Sequence, residues 1–144
     1  NKTGVYFLSI EGGKTLSCKI AKGMSGLPYR YSKIKRSENH YESNNTDFND
    51  KLNIQFSIGQ GITEKTKFDK WLTERYALFQ DTEKSINEFE IHHLEWVINE
   101  IILENLEFNY PRFEKLITSQ PNKIQYSKGV KVLAWGKYKK EKIS

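Results

Sequence analysis

Apolar positions change their period several times along this chain, and each change marks an element. In the run Gly4 to Ile10, Val5, Tyr6, Phe7 and Leu8 place bulky side chains at successive positions. That pattern predicts a strand buried on both faces, broken by Glu11, Gly12 and Gly13. Leu16, Ile20, Cys18 and Ala21 then fit a short helix from Lys14 to about Lys22, stopped by Gly23 and Gly26. After Pro28, Tyr29, Tyr31 and Ile34 interleave with Arg30, Lys33, Lys35 and Arg36, which predicts a strand with one polar face. Tyr41 and its neighbours predict the next strand, with Asn44, Asn45, Thr46 and Asp47 as a turn. Leu52, Ile54, Phe56 and Ile58 alternate with Asn53, Gln55 and Ser57, the clearest period-2 signal in the chain, ended by Gly59 and Gly61.

Helical spacing returns with Phe68, Trp71, Leu72 and Arg75, in a helix expected to be capped by Thr63 with Glu64 in its first turn. Tyr76 to Gln80 and Ile86 to His92 read as two strands around a turn at Asp81 to Ser85. Val97 to Phe108 is read as a strand from its early β-branching, although its length also suits a helix. Pro111 to Thr118 holds a short helical turn, and Gly129 to Tyr138 is a final strand. The sum is an α+β class, β-rich, with a largely antiparallel sheet and two or three short helices in a single domain over residues 1–144.

Composition narrows the class. With 144 residues, 37% hydrophobic and 13% aromatic, the chain is too apolar for a disordered segment. Its one cysteine, Cys18, excludes an intramolecular disulfide framework and a multi-cysteine zinc site. Apolar runs of only a few residues and no signal-peptide pattern lead to the expectation of a cytoplasmic protein that does not engage a membrane. The strand-like run so close to Asn1, with no Met before it, raises the expectation of a fragment lacking an N-terminal portion. The net charge of +5 divides into +3 for residues 1–50, −5 for 51–110 and +7 for 111–144. Lys131, Lys137, Lys139, Lys140 and Lys142 crowd the last segment. Such a tail could meet nucleic acid or anionic lipid, or be a solvated strand end. Without a helix-turn-helix, zinc-finger or RRM signature, no nucleic-acid partner is expected.

Candidate chemistry is sparse. There is no GxSxG, HExxH, Walker loop or GxGxxG, and Gly12-Gly13 and Gly59-Gln60-Gly61 lack a lysine at phosphate-loop spacing. His92 and His93, adjacent in a strand, point to opposite faces and cannot easily share one metal; no metal site and no cofactor are expected. One of the pair could serve a pocket in proton transfer, or stand as a structural histidine beside Trp96. Cys18 reads as a buried helical thiol rather than a nucleophile. Glu74 and Arg75, at a helix-to-strand junction, either line a pocket mouth or tie the helix to the sheet. The cations of Gly26 to Arg36 would be anion-binding or Schiff-base groups inside a barrel, and an edge-strand device outside it.

GVYFLSIEGGKTLSCKIAKGMSGLPYRYSKI (Gly4 to Ile34) resembles the corresponding run of the YqjF-like family of uncharacterised bacterial proteins. FDKWLTERYALFQ (Phe68 to Gln80), His92-His93-x-x-Trp96 and YSKGVKVLAW (Tyr126 to Trp135) follow in the same order, so the resemblance covers essentially the whole chain. LTERY and GLPY are its most specific parts. The resemblance implies an acetoacetate-decarboxylase-like open barrel or cone enclosing a pocket, here missing N-terminal strands, with this chain as the C-terminal portion of a longer YqjF-like domain. In the decarboxylase a turn like Gly26-Leu27-Pro28 precedes two adjacent pocket lysines, one of which forms a Schiff base. Here those positions are Tyr29 and Arg30, neither of which can form the imine, and arginine stays protonated.

The expectation is therefore a small-molecule pocket protein for a carboxylate or keto acid, lacking the Schiff-base lysine. Arg30 would hold the anion, with Tyr29, Tyr31, Glu74, Arg75 and His92 as further pocket candidates and no catalytic residue assigned. Two other readings stay open. One is a lyase or hydrolase-type enzyme using Glu74 or a histidine as general acid/base on a carbonyl compound. The other is a non-catalytic module that pairs through its sheet edges, as in a homo-oligomer.

Overall fold

The computed structural model describes residues 3–83 and 85–141, with 136–141 described as backbone only. Eleven strands, two α-helices and one 3-10 turn appear among them, so the β-rich α+β class is observed. The chain divides into two compact units, residues 1–8, 61–98 and 127–144 in one and residues 9–60 and 99–126 in the other. Lys137, Lys139, Lys140 and Lys142 of the basic tail lie where no side chain is described. Among the described residues no helix is long and apolar enough to cross a membrane.

The first unit is built on a four-stranded sheet in the order β1 (Val5–Tyr6), β7 (Ala77–Asp81), β8 (Ser85–His93), β11 (Val132–Glu141). β1 runs parallel to β7, while β7–β8 and β8–β11 are antiparallel. Gly4 lies so close to the Ala77 carbonyl and the Phe79 ring that a Cβ there would collide with both, which is how β1 reaches its neighbour. Along β11 the register slips between Trp135 and Lys137, a bulge that interrupts the ladder with β8. Ala77, Leu78 and Ile98 are the buried apolar residues of this unit, joined by buried Asp69, Asn87, Glu88 and His93.

α2 (Lys67–Thr73) belongs to the same unit and starts later than the expected Thr63 cap. Thr66 is the cap: its Oγ1 accepts from the Asp69 amide at 3.1 Å, and Asp69 Oδ2 accepts from the Thr66 amide at 2.8 Å. This reciprocal box needs an acid three residues after the hydroxyl. Asp69 meets that need for Thr66, whereas Thr63 has Thr66 at the third position.

The second unit holds a five-stranded sheet in the order β10 (Gln125–Tyr126), β9 (Asn99–Asn109), β6 (Asp50–Gly61), β5 (His40–Asn45), β4 (Lys33–Arg36), and a parallel pair of β2 (Ile10–Gly12) with β3 (Tyr29–Tyr31). Asn99 bonds the Gly59 carbonyl, Ser57 bonds Glu104, and Asn109 bonds the Asn49 carbonyl. Residue numbers therefore rise in β6 as they fall in β9, so that pair is antiparallel. The strand expected over Val97 to Phe108 is thus present as β9, Asn99–Asn109, with Val97 and Ile98 in the segment before it. Gly59 lies inside β6 rather than ending it, because the Glu100 backbone of β9 passes where a larger residue would crowd it.

Other boundaries moved for identifiable reasons. Gly4 to Ile10 is not one two-sided strand. Val5 and Tyr6 pair with β7, the chain then leaves that sheet, and Ile10 pairs with β3, with Tyr6, Phe7 and Leu8 exposed. β1 is only two residues long and its pairing ends at Tyr6, so Phe7 and Leu8 never enter a ladder. The run after Pro28 splits at Ser32 into β3 and β4. The hairpin turn sits at Thr46 to Asn49 rather than Asn44 to Asp47, with Asn49 at φ 56°, a left-handed conformation that asparagine tolerates. Lys33 and Lys35 are exposed on the edge strand β4, where Lys35 pairs with Glu42 across the strands at 3.2 Å. That is the edge-strand reading of these cations.

α1 (Thr15–Ser25) runs through Gly23 and stops only at Gly26, whose φ of 72° supports the left-handed cap. Nothing lies within 4 Å of a Cβ built on Gly23. Gly23→Ala is therefore expected to stabilise the protein by about 0.5–1 kcal/mol. Gly26→Ala, forced into positive φ, is expected to destabilise it by about 1 kcal/mol. Urea denaturation of the two variants checks this opposite pair of signs.

Candidate functional site

In the second unit the polar interior gathers around Phe48. Asn45, only 1% exposed, accepts from the Asp47 and Phe48 amides at 3.1 and 3.3 Å and so holds the turn that presents Phe48. The Arg30 guanidinium lies 4.5 Å and that of Arg112 4.0 Å from the Phe48 ring centre, a favourable placement of cations on a π face. Arg112 enters through the 3-10 turn Pro111–Phe113. Its Nε donates to Asp50 Oδ2 at 3.0 Å, and its Nη2 contacts the same oxygen. Ser9 also bonds Arg112, and Glu11 lies 3.9 Å from it. Glu11 in turn accepts from Asn45 and Ser9.

Arg112 is thus matched by two carboxylates. Arg30 has no such partner: its Nε is buried without a hydrogen bond among the described residues, as are Ser32 Oγ and Asp50 Oδ1. Burial, and then the charges of Glu11, Tyr41 and Asp50, push the Tyr110 phenol above its ordinary value. β3 places Arg30 opposite Glu11, while Cys18, buried in α1, donates its thiol to the Arg30 carbonyl at 3.4 Å. Gly12 sits where a Cβ would collide with that sulfur, so the close approach of α1 to this strand pair requires glycine. Strand alternation turns Tyr29 and Tyr31 to the face opposite Arg30, and Tyr31 is exposed. The three candidates of this segment therefore do not converge.

Glu74, Arg75 and His92 lie in the first unit. Glu74 Oε1 accepts from Lys65 at 2.9 Å, Thr73 at 3.0 Å and the Trp96 amide at 3.4 Å, and Oε2 from the Tyr76 hydroxyl at 2.9 Å. It ties the end of α2 to the start of β7 and to the loop after β8. Burial alone would raise its pKa, but hydrogen bonds from Lys65, Tyr76 and Thr73, with the Lys65 charge, hold it below the ordinary 4.5. Donating that bond to Glu74 raises the Tyr76 phenol above its ordinary value. Arg75 stacks its guanidinium 4.5 Å from the Trp71 ring centre.

The histidine pair divides by face, as strand alternation requires. His93 is buried, stacked on Tyr76 at 4.7 Å, edge-on to Trp96, with its ring nitrogens facing the Leu94 and Arg75 carbonyls. It is the structural histidine of the two. His92 is exposed and lines a cavity of about 430 Å³ with Tyr76, Glu90 and Trp135. Among the described residues no three His, Cys, Asp or Glu side chains are grouped to hold a metal.

Residues 1–131 match the family model described as DUF2071, an uncharacterized conserved protein. The chain belongs to the DUF2071 family. It is similar to the uncharacterized protein YqjF of Bacillus subtilis (strain 168), with 31% identity over 106 residues, covering 67% of this chain and 43% of the relative. The chain thus spans less than half the length of that curated relative. No solved structure matches it. The matched DUF2071 region includes Arg30, Glu74, Arg75, His92 and Arg112, but stops before Trp135.

Arg112, Asp50, Glu11 and Phe48 were not singled out from the sequence. Asp50 and Arg112 stand 62 positions apart, with no motif linking them. Glu90 could have been found, because the period-2 pattern ending at His92 places it on the same face.

Two outcomes follow from this geometry. Arg112→Ala leaves Asp50, 2% exposed, as an unpaired buried charge and is expected to cost about 3–5 kcal/mol. Lys35→Ala, breaking an exposed pair, is expected to cost under about 1 kcal/mol; chemical denaturation measures both. Glu74, depressed in the fold, stabilises it above the ordinary carboxylate value of 4.5, and that contribution is lost as pH falls through its folded pKa. Acid denaturation of Glu74→Gln is therefore expected to show a shallower loss of stability below about pH 4.5 than wild type.

Proposed function

We propose that the protein is a small-molecule-binding member of the DUF2071 family that takes a carboxylate or keto acid at Arg30. The observation that carries this reading is the asymmetry between two arginines on one aromatic ring. Arg112 has Asp50 and Glu11 as counter-charges, while Arg30 keeps a buried Nε without a hydrogen-bond partner among the described residues. A buried donor left unmade costs free energy that a ligand oxygen would recover. A guanidinium also presents a planar fork that fits a carboxylate through two parallel bonds. The Phe48 ring under it fixes that fork before ligand arrives, so less entropy is lost on binding.

The accompanying fold reading is an acetoacetate-decarboxylase-like open barrel without its imine chemistry. The turn Gly26-Leu27-Pro28 leads into Tyr29 and Arg30 where the decarboxylase has its lysine pair. Arginine retains the anion recognition of such a pocket but, protonated throughout, offers no nucleophilic amine. Binding without Schiff-base formation is what these residues support.

Thermal-shift and calorimetric titration with pyruvate, acetoacetate and other small keto and carboxylic acids tests the proposal. At least one acid is expected to raise Tm, by the equivalent of about 2.7 kcal/mol at a hundredfold excess over Kd. Arg30→Ala is expected to abolish the effect, and Arg30→Lys to weaken it by losing the fork. Borohydride added with acetoacetate is expected to leave the protein's mass unchanged. If no acid stabilises the protein, or Arg30→Ala binds as wild type does, the assignment is wrong.

A further inference from the structure

A surface helix ordinarily turns its apolar stripe toward the core, and α1 does the reverse. Its inward face is made of small residues. Cys18 is buried against the Arg30 carbonyl, and Ala21 and Ser25 are half-buried beside it. Leu16, Ile20 and Met24 recur at every fourth position, so they form one ridge nearly opposite Cys18. They are 70%, 52% and 85% exposed. Single exposed apolar residues are ordinary, but three in line on one helix make a continuous strip.

Charge says what this strip suits. Residues 12–37, which hold α1, β3 and β4, carry seven lysines and arginines and no aspartate or glutamate. Lys14 stands at the start of α1, and Lys19 and Lys22, one turn apart, lie along one side of the ridge; all three are exposed. None of these three has an ion-pair partner among the described residues, whereas Lys35 of β4 is answered by Glu42. An aliphatic ridge beside unpaired lysines matches a surface that is apolar beneath and anionic at its boundary. The long lysine stem lets the ammonium stay at that boundary while the ridge sinks below it. α1 contains no tryptophan, tyrosine or arginine, the residues that most often anchor protein–protein contacts. Short apolar runs exclude a spanning helix but do not bear on a helix that lies along a bilayer.

We propose that the outer ridge of α1 is a contact surface for an anionic lipid bilayer, with Leu16, Ile20 and Met24 below the headgroups and Lys14, Lys19 and Lys22 at the phosphates. The contact is peripheral and reversible. Three aliphatic side chains and a few lysines each contribute part of the binding, and it needs both.

Co-sedimentation of the full chain with vesicles of phosphatidylcholine and phosphatidylglycerol in equal parts tests this, against vesicles of phosphatidylcholine alone. Saturable binding to the anionic vesicles is expected, with binding to the neutral ones weaker by at least about tenfold, since each lysine at such a surface contributes about fivefold. Ile20→Glu is expected to abolish binding, and Met24→Glu, at the most exposed position of the ridge, repeats the test should Ile20→Glu fold poorly. Lys19→Gln and Lys22→Gln are each expected to weaken binding about fivefold, whereas Lys128→Gln, an equal loss of charge outside this segment, leaves it unchanged. Met24 is the chain's one methionine, so its labelled methyl group is assigned by NMR from its loss in Met24→Leu, and a nitroxide carried on the lipid is expected to quench it. Binding to neither vesicle or equally to both, wild-type binding by the glutamate variants, an equal loss in Lys128→Gln, or an unquenched Met24 signal would overturn the proposal. So would a concentration-dependent dimer that Ile20→Glu dissociates, which would make the ridge a contact between copies of this chain. Arg30 takes no part, so this outcome is independent of the carboxylate titration.

Discussion

The ion pair between Asp50 and Arg112 joins two points that the chain reaches by very different routes. Asp50 opens β6 directly after a tight turn, and Arg112 follows the far end of β9 in a 3-10 turn. Their pairing closes the end of the β6–β9 ladder and puts a guanidinium over Phe48. Glu11 of β2 and Asn45 of β5 join the same network. The parallel strand pair, the hairpin turn and the five-stranded sheet thus meet around one charged centre. The buried apolar residues of this unit, Cys18, Leu27 and Phe56, are few, and its most fully buried side chains, Asn45 and Ser32, are polar. Polar matching therefore has an unusual share in specifying the arrangement, and each unmatched atom within it stands out.

Phe48 gives that network its asymmetry. One ring carries two like charges, which is tolerable only because Arg112 is neutralised by neighbouring carboxylates. Arg30, on the same ring, keeps an Nε without a hydrogen bond among the described residues. The feature arises from the fold rather than from a motif, since a turn, a strand and a 3-10 segment each contribute one part. In the first unit, Glu74 plays the corresponding organising role by accepting from a lysine, a threonine, a tyrosine and a backbone amide. Its carboxylate serves as a tie, while His92, on the neighbouring strand β8, is the exposed histidine that lines a cavity.

Local periodicity made the long elements legible. The β6 alternation, the β7–β8 pair and the final strand lie close to where the pattern places them, and the adjacent histidines divide by face as a strand demands. The capping box needed attention to which hydroxyl has an acid three residues ahead, a local rule that the Thr63 reading overlooked. What local pattern could not contain was partnership. Nothing in Val5 to Leu8 says that two residues join one sheet and the chain then departs for another pair. Likewise, Arg30 was legible from its place after Gly26-Leu27-Pro28, whereas its relation to Phe48 and Arg112 depends on closures across tens of residues. The separation of Arg30 from Tyr29 and Tyr31 was available from strand geometry alone.

The bulge in β11 acts on more than one side chain. A strand is a two-colour string, with odd and even positions facing opposite ways, and one supernumerary residue interrupts that alternation. The pairs before Gly136 and those after it are offset by one residue along β11, while β8 runs past the joint without a break. Deleting that one residue would leave Trp135 opposite Glu90 and Lys137 opposite Phe89 as consecutive pairs of an unbroken ladder, so no pairing on either side of the joint would have to change.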